Sequence, residues 1–191
     1  MAGEWDLLPV PLNKSRSKED IGMNTRELTL AAVFAALYAT MVIIFAPISF
    51  GPVQLRLADA LIPFSAVFGV PVIIGVSLGT LVGNFYWFLS PIDIILGSIA
   101  NLISSYIIYK YKDNLIVASV VGSFIIGSIV GGYLWLFFPP PNVLSQYLPV
   151  WLAMIVSITL SSLIAISILG VGLVKTLIKT GYLKQFNDNF T

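Results

Sequence analysis

The chain has 191 residues, of which 58% are hydrophobic and only 10% are charged, where a soluble domain carries about 25% charged residues. Its formal net charge is +1 and its mean hydropathy is +0.95. So little polar surface excludes a soluble enzyme, a disordered linker and a coiled coil. The composition predicts an integral membrane protein.

The residue types that the chain lacks narrow its chemistry. It has no cysteine and no histidine, which excludes disulfides and thiol catalysis and removes the commonest metal ligand. No Gly-x-x-x-x-Gly-Lys-Ser/Thr phosphate loop occurs, so the chain does not hydrolyse ATP by that route. We expect a protein that is not an enzyme and has no catalytic site, metal site or cofactor of its own. The small net charge gives no reason to expect nucleic acid as a partner.

Six apolar spans follow one another along the chain. Five short polar or proline-containing segments separate them: Gly-Pro, Gly-Val-Pro, Ser-Pro, Tyr-Lys-Tyr-Lys-Asp and Pro-Pro-Pro-Asn. Proline and glycine interrupt helices. A span of about 20 residues is long enough to cross a bilayer. The spans lie at about 28–48, 57–68, 72–89, 91–109, 114–138 and 146–177. The sequence predicts an all-α bundle of six transmembrane helices at 26–180, with polar tails at 1–25 and 181–191.

Basic residues mark one side of the membrane. They cluster before span one, between spans four and five, and after span six: Lys14, Arg16, Lys18, Arg26, Lys110, Lys112, Lys175, Lys179 and Lys184. With six spans, these clusters share one side, and the opposite loops carry no basic residue except Arg56. Because basic loops remain in the cytoplasm, we expect both tails to be cytoplasmic.

Small residues recur at helical spacing in spans one, three and five. Stripes of this kind let helix backbones approach closely inside a membrane, and for spans three and five we expect internal packing. Span one differs because two stripes lie side by side, which makes a face wider than one neighbouring helix needs. Internal packing and docking of a partner both fit this face, which consists of Ala31, Ala32, Ala35, Ala36 and Ala39.

Three charged residues lie inside or at the margin of the apolar region: Arg56, Asp59 and Asp93. An ionised group there costs a few kcal/mol, so each needs a partner or a function. A purely structural interpretation is available for all three. Arg56 and Asp59 have the spacing of an ion pair on one helix, and Asp93 follows Ser90 and Pro91 as in a helix cap.

A functional interpretation groups these charges with other polar and aromatic residues in the outward-facing half. Carboxylates pair with the N–H edge of a flat, polar or cationic heterocycle, a guanidinium pairs with its carbonyl, and aromatic rings stack on its faces. The candidates to join the three charges are Gln54, Asn84, Tyr86 and Trp87. Tyr86 and Trp87 fit an interfacial aromatic belt equally well.

Residues 51–61 contain a Gly-Pro-x-Gln-x-Arg element that resembles the signature of the queuosine-precursor transporter family. The Val-Pro and Gly at 70–75 and the segment 92–98 are also similar to that family, and the resemblance covers roughly 28–109. Two positions depart from it. Asp59 stands where the family more often has Glu, and Asn101 stands where a small hydroxyl residue is expected.

The resemblance implies a substrate-capture (S) component of an energy-coupling factor (ECF) transporter, with six helices in a prokaryotic cell membrane. Such a subunit binds a small molecule from outside and works with a transmembrane coupling subunit and two ATPase subunits, which use the ATP. The implied ligand is a queuosine precursor of the 7-deazaguanine type, with Asn101 added to its contacts. The alanine face of span one then docks the coupling subunit.

Two alternatives stay open at this stage. The first is an S component for another vitamin or aromatic nutrient. The second is an ion-coupled carrier that acts alone, with Asp59 or Asp93 as its coupling site. The sequence shows no internal inverted repeat of the kind that many such carriers have, which favours the capture subunit.

Overall fold

The computed structural model describes residues 23–49 and 55–180, which form helices and no strand. Six helices account for most of this part of the chain. They are α1 (Thr25–Ile44), α2 (Leu57–Phe68), α3 (Val70–Tyr86), α4 (Pro91–Lys110), α5 (Lys112–Leu134) and α6 (Val150–Lys179). Two short helices, Ala46–Ser49 and Asn142–Ser145, lie after α1 and before α6. The predicted all-α class is confirmed.

Local sequence signals set several of the helix boundaries. Asn24 and Glu27 form a reciprocal capping box at the start of α1, in which each side chain accepts a hydrogen bond from the backbone N–H of the other. Ser90 caps α4 by accepting from the Asp93 N–H at 3.2 Å. Gly69 separates α2 from α3 with a φ of 71°, a conformation that favours glycine.

Helix length agrees with the membrane prediction for four of the six predicted spans. Among the described residues, α1, α4, α5 and α6 are long and apolar enough to cross a bilayer, whereas α2 and α3 are shorter apolar helices. The 17 residues of α3 are close to the length that a bilayer requires. The count of six transmembrane helices stays a prediction.

The short helix α2 lies in the interior of the bundle. It contacts α1, α3, α4 and α6, and nearly all its side chains are buried. Its first part, Leu57–Phe64, is a 3₁₀ helix, and it packs against a π-helical part of α6, Leu163–Gly170. A Cβ at Gly170 would lie 2.7 Å from the Ala60 carbonyl oxygen, so glycine permits this close approach. The packing carries Asp59 into the middle of the protein.

The glycine stripe of α3 packs directly on α1. A Cβ at Gly75 would lie 2.6 Å from the Ala31 carbonyl oxygen, and one at Gly79 would lie 2.7 Å from that of Ala35. In the same way, a Cβ at Gly131 of α5 would lie 2.6 Å from the Cα of Ile155 in α6. These stripes therefore serve internal packing, as expected for spans three and five.

Candidate functional site

Five of the residues predicted to bind a ligand lie together in the interior. Arg56, Asp59, Asn84, Asp93 and Asn101 are each at most 7% exposed. They come from the start of α2, the end of α3 and the first half of α4, and hydrogen bonds connect them to α1 and α5. We call the whole set the polar cluster, which consists of Tyr38, Arg56, Asp59, Thr80, Asn84, Asp93, Asn101 and Tyr133.

One half of the polar cluster surrounds Asp59. The Tyr38 hydroxyl donates to Asp59 Oδ1 at 2.5 Å, and Asn101 Nδ2 donates to the same oxygen at 3.4 Å. Asn101 Nδ2 also lies 2.7 Å from the Tyr38 hydroxyl and 2.7 Å from Thr80 Oγ1. Hydrogen bonds to a carboxylate stabilise its charged form, so these donors fix Asp59 from helices α1 and α4.

The other half surrounds Asp93. The Tyr133 hydroxyl donates to Asp93 Oδ1 at 2.7 Å, and Asn84 Nδ2 donates to the Asp93 backbone carbonyl at 3.0 Å. The helix cap at Ser90 uses only the backbone N–H of Asp93. Capping therefore accounts for the Ser-Pro start of α4, and the Asp93 carboxylate points to Tyr133 of α5 instead.

Two acceptor oxygens of this second half have no hydrogen-bond partner among the described residues. They are Asp93 Oδ2 and Asn84 Oδ1, and both side chains are fully buried. A buried acceptor without a donor is costly, and most buried polar atoms in proteins have a partner. These two oxygens are therefore ready to accept hydrogen bonds from a bound molecule.

Gly97 lies between the two halves of the polar cluster. Asp93, Gly97 and Asn101 follow one another at intervals of four on a single face of α4, a length of about 12 Å. A Cβ at Gly97 would lie 2.7 Å from Asn84 Nδ2, 3.8 Å from the Tyr133 hydroxyl and 3.9 Å from Thr80 Cγ2. The absence of a side chain at this position therefore allows the Asn84 amide to pack directly against α4.

Arg56 links the two carboxylates electrostatically. Its guanidinium interacts with Asp59 and also with Asp93, and in addition with the hydroxyl groups of Tyr38 and Tyr133. The structural interpretation of an isolated ion pair within one helix is therefore incomplete, because Arg56 also acts on α4 and α5. One buried guanidinium therefore interacts electrostatically with two buried carboxylates.

Two of the remaining predicted contacts do not join the polar cluster. Tyr86 and Trp87 are 64% and 49% exposed at the end of α3, which favours the interfacial belt. Gln54 lies outside the described residues. Sequence reasoning missed Tyr38, Thr80 and Tyr133. Thr80 carried a usable signal, since it stands one helical turn before Asn84.

The alanine face predicted on span one is divided in the structure. Ala31 and Ala39 are buried and Ala35 is half-buried, whereas Ala32 and Ala36 are exposed. Ala31 and Ala35 lie against the glycine stripe of α3. Of the two stripes, α3 therefore packs on that of Ala31, Ala35 and Ala39, whereas the Ala32 and Ala36 stripe lies on the surface. Docking of a partner on this face stays a prediction.

Comparison with known proteins identifies the family of this chain. A family model described as QueT transporter matches residues 28–179. The queuosine precursor transporter QueT of Lactococcus lactis subsp. cremoris (strain MG1363) is 36% identical over 81 residues, which are 41% of this chain and 47% of that relative. The aligned part thus spans about half the length of the relative, and no solved structure matches the chain. Because the family model covers most of the chain and every helix described above except the start of α1, this multi-pass membrane protein belongs to the QueT transporter family.

Proposed function

We propose that this chain captures a queuosine precursor of the 7-deazaguanine type from outside the cell for ATP-driven uptake. In this proposal it is the substrate-binding subunit of an ECF importer, and the ATP is used by two ATPase subunits that act through a transmembrane coupling subunit. Family membership supports transport, and the relative's name supports the class of ligand. The polar cluster supplies the binding chemistry.

The observation that carries the proposal is a pair of open buried acceptors close to a guanidinium. A 7-deazaguanine presents ring and exocyclic N–H donors next to one carbonyl acceptor. Asp93 Oδ2 and Asn84 Oδ1 are acceptors without a partner in the described part of the chain, and the positive charge of Arg56 interacts with the Asp93 carboxylate. Gly97 packs closely against Asn84 and lies near the Tyr133 hydroxyl, so these polar groups converge on one part of α4. Polar groups that converge in a largely apolar interior are typical of small-molecule sites.

The position of the polar cluster in the bundle fits capture from outside. α3 ends and α4 begins beside it, whereas Lys110 stands at the opposite end of α4. Because basic residues mark the cytoplasmic side, the polar cluster belongs to the outward half. Both tails are cytoplasmic in this arrangement.

Two substitutions test the binding site. We expect Arg56→Ala and Asp93→Asn each to weaken binding of a 7-deazaguanine precursor by about tenfold to a hundredfold, since each removes a charge-assisted contact. Calorimetric titration of the purified full chain in detergent measures the effect. Lys110→Ala and Asp113→Asn are matched controls at exposed positions. Unchanged affinity in both cluster variants would overturn the assignment of the site.

A substitution in the exposed alanine stripe tests whether this surface docks the coupling subunit. We expect Ala36→Leu to reduce copurification with the coupling subunit while ligand affinity stays intact, because small residues permit close helix approach. Ala31→Leu is the comparison, since Ala31 is buried against Gly75 and its enlargement should lower the stability of the chain itself. Normal copurification of Ala36→Leu would show that the coupling subunit docks elsewhere.

A further inference from the structure

An irregular stretch of α6 packs on α2. This stretch, Leu163–Gly170, is a π-helix, in which each backbone N–H bonds the carbonyl five residues back instead of four. Two pairs of buried residues recur at the same interval of five: Ala165 and Gly170, and Ile166 and Val171. The π turn therefore places Gly170 on the face of α6 that packs on α2.

The facing part of α2 is a 3₁₀ helix that contains a proline. In such a helix each N–H bonds the carbonyl three residues back. Pro63 has no N–H to donate, so the Ala60 carbonyl lacks this bond. A Cβ at Gly170 would lie 2.7 Å from the Ala60 carbonyl oxygen and 2.8 Å from Pro63 Cγ. Glycine at position 170 therefore allows this turn of α2 to pack directly on α6.

The contact lies next to residues of the polar cluster. Asp59 precedes Ala60 in the 3₁₀ helix, and Arg56 stands at its start. The hydrogen bond from Asn101 Nδ2 to Asp59 Oδ1 is long at 3.4 Å, since such bonds are typically about 2.7–3.2 Å. A displacement of α2 by a few tenths of an ångström is therefore enough to break it.

We propose that Gly170 is a positioning residue for the ligand site. Because it admits the Ala60 carbonyl, it sets how closely α2 approaches α6, and α2 in turn sets where Asp59 and Arg56 lie relative to α4. Gly170 acts through α2 and does not itself contact the ligand. This inference rests on the proposed function and assigns a further residue to the same site.

Calorimetry and a thermal melt on the same full-chain preparation test the inference, with 7-cyano- and 7-aminomethyl-7-deazaguanine as probes. We expect Gly170→Ala to weaken binding by about tenfold, because it moves Asp59 and Arg56 relative to α4. Gly127→Ala is the matched control, since a Cβ there would lie 2.9 Å from Thr159 Cα of α6, outside the contact with α2. It should lower the thermal midpoint, as overpacking does, and leave ligand affinity at the wild-type value.

Two results would overturn the inference. One is wild-type affinity in Gly170→Ala. The other is an equal loss of affinity in Gly127→Ala, which would mean that any overpacking of α6 disturbs the site. Failure of the wild-type chain to bind either probe would instead overturn the proposed function.

A second substitution tests whether Gly170 acts through α2. We expect Pro63→Ala, added to Gly170→Ala, to return affinity to within about threefold of the wild type. Alanine at position 63 lacks the Cγ and Cδ atoms that the new methyl group would meet at 2.8 and 3.0 Å, and it supplies an N–H for the Ala60 carbonyl. If Gly170→Ala alone does not fold, the double variant should regain both folding and binding. The absence of recovery would overturn the inference.

Discussion

Gly97→Ala is expected to weaken binding of a 7-deazaguanine precursor by about tenfold while the chain remains folded. The added Cβ would lie 2.7 Å from Asn84 Nδ2, so the amide must move. That movement breaks its hydrogen bond to the Asp93 carbonyl and displaces the open oxygen of Asn84. One proposed ligand contact is then lost or misplaced, and a contact of this kind contributes about tenfold in affinity.

Calorimetry and a thermal melt, measured on the same preparation, separate this loss of binding from a loss of folding. The atom that must yield is the end of a flexible side chain, which relaxes at little cost to stability. Gly132→Ala is the matched control, because a Cβ at Gly132 meets no atom within 4 Å. Wild-type affinity in Gly97→Ala would mean that the ligand does not lie beside Asn84.

Gly79→Ala is expected to lower the thermal midpoint by about 5 °C, since overpacking a tight contact costs about 1–3 kcal/mol. Here the added Cβ would lie 2.7 Å from the Ala35 carbonyl oxygen and 2.7 Å from the Tyr38 Cβ. Neither atom is the end of a flexible side chain, so α1 and α3 must separate. Gly172→Ala is the control, since a Cβ there meets no atom within 4 Å. An unchanged midpoint would contradict the close α1–α3 packing that positions Tyr38.

The two aspartates of the polar cluster have separate tasks in this account. Asp59 is held by Tyr38 from α1 and by Asn101 from α4, so it ties α2 to its neighbours and balances Arg56. Asp93 is held on one oxygen only, which leaves it able to bind a ligand. The departure at position 59, where the resembling family more often has Glu, therefore affects a residue that positions the site.

The positions of most helices could be predicted from the sequence, because the residues that start and stop a helix are its near neighbours in the chain. The capping pair Asn24 and Glu27 and the Ser90 cap are readable from neighbouring residues. A charge in an apolar run is also a local signal, so Arg56, Asp59 and Asp93 could be identified without a structure. All three lie in the polar cluster.

The remaining features depend on how distant helices pack. Tyr38 and Tyr133 join the polar cluster only because α1 and α5 pack beside α2 and α4, and a buried tyrosine looks like an interfacial one in the sequence. The sequence left Trp87 open between a ligand contact and an interfacial belt for the same reason, since exposure depends on neighbours. The two alanine stripes of α1 look alike in the sequence, but the α3 glycines cover one of them.

The most direct test of the central claim is an experimental structure of the full chain bound to a queuosine precursor of the 7-deazaguanine type. We predict that N–H donors of the ligand lie within hydrogen-bond distance of Asp93 Oδ2 and Asn84 Oδ1. The hydrogen bond that the Tyr133 hydroxyl donates to Asp93 Oδ1 should persist. A ligand bound outside the polar cluster, with both acceptors still without a donor, would contradict the account.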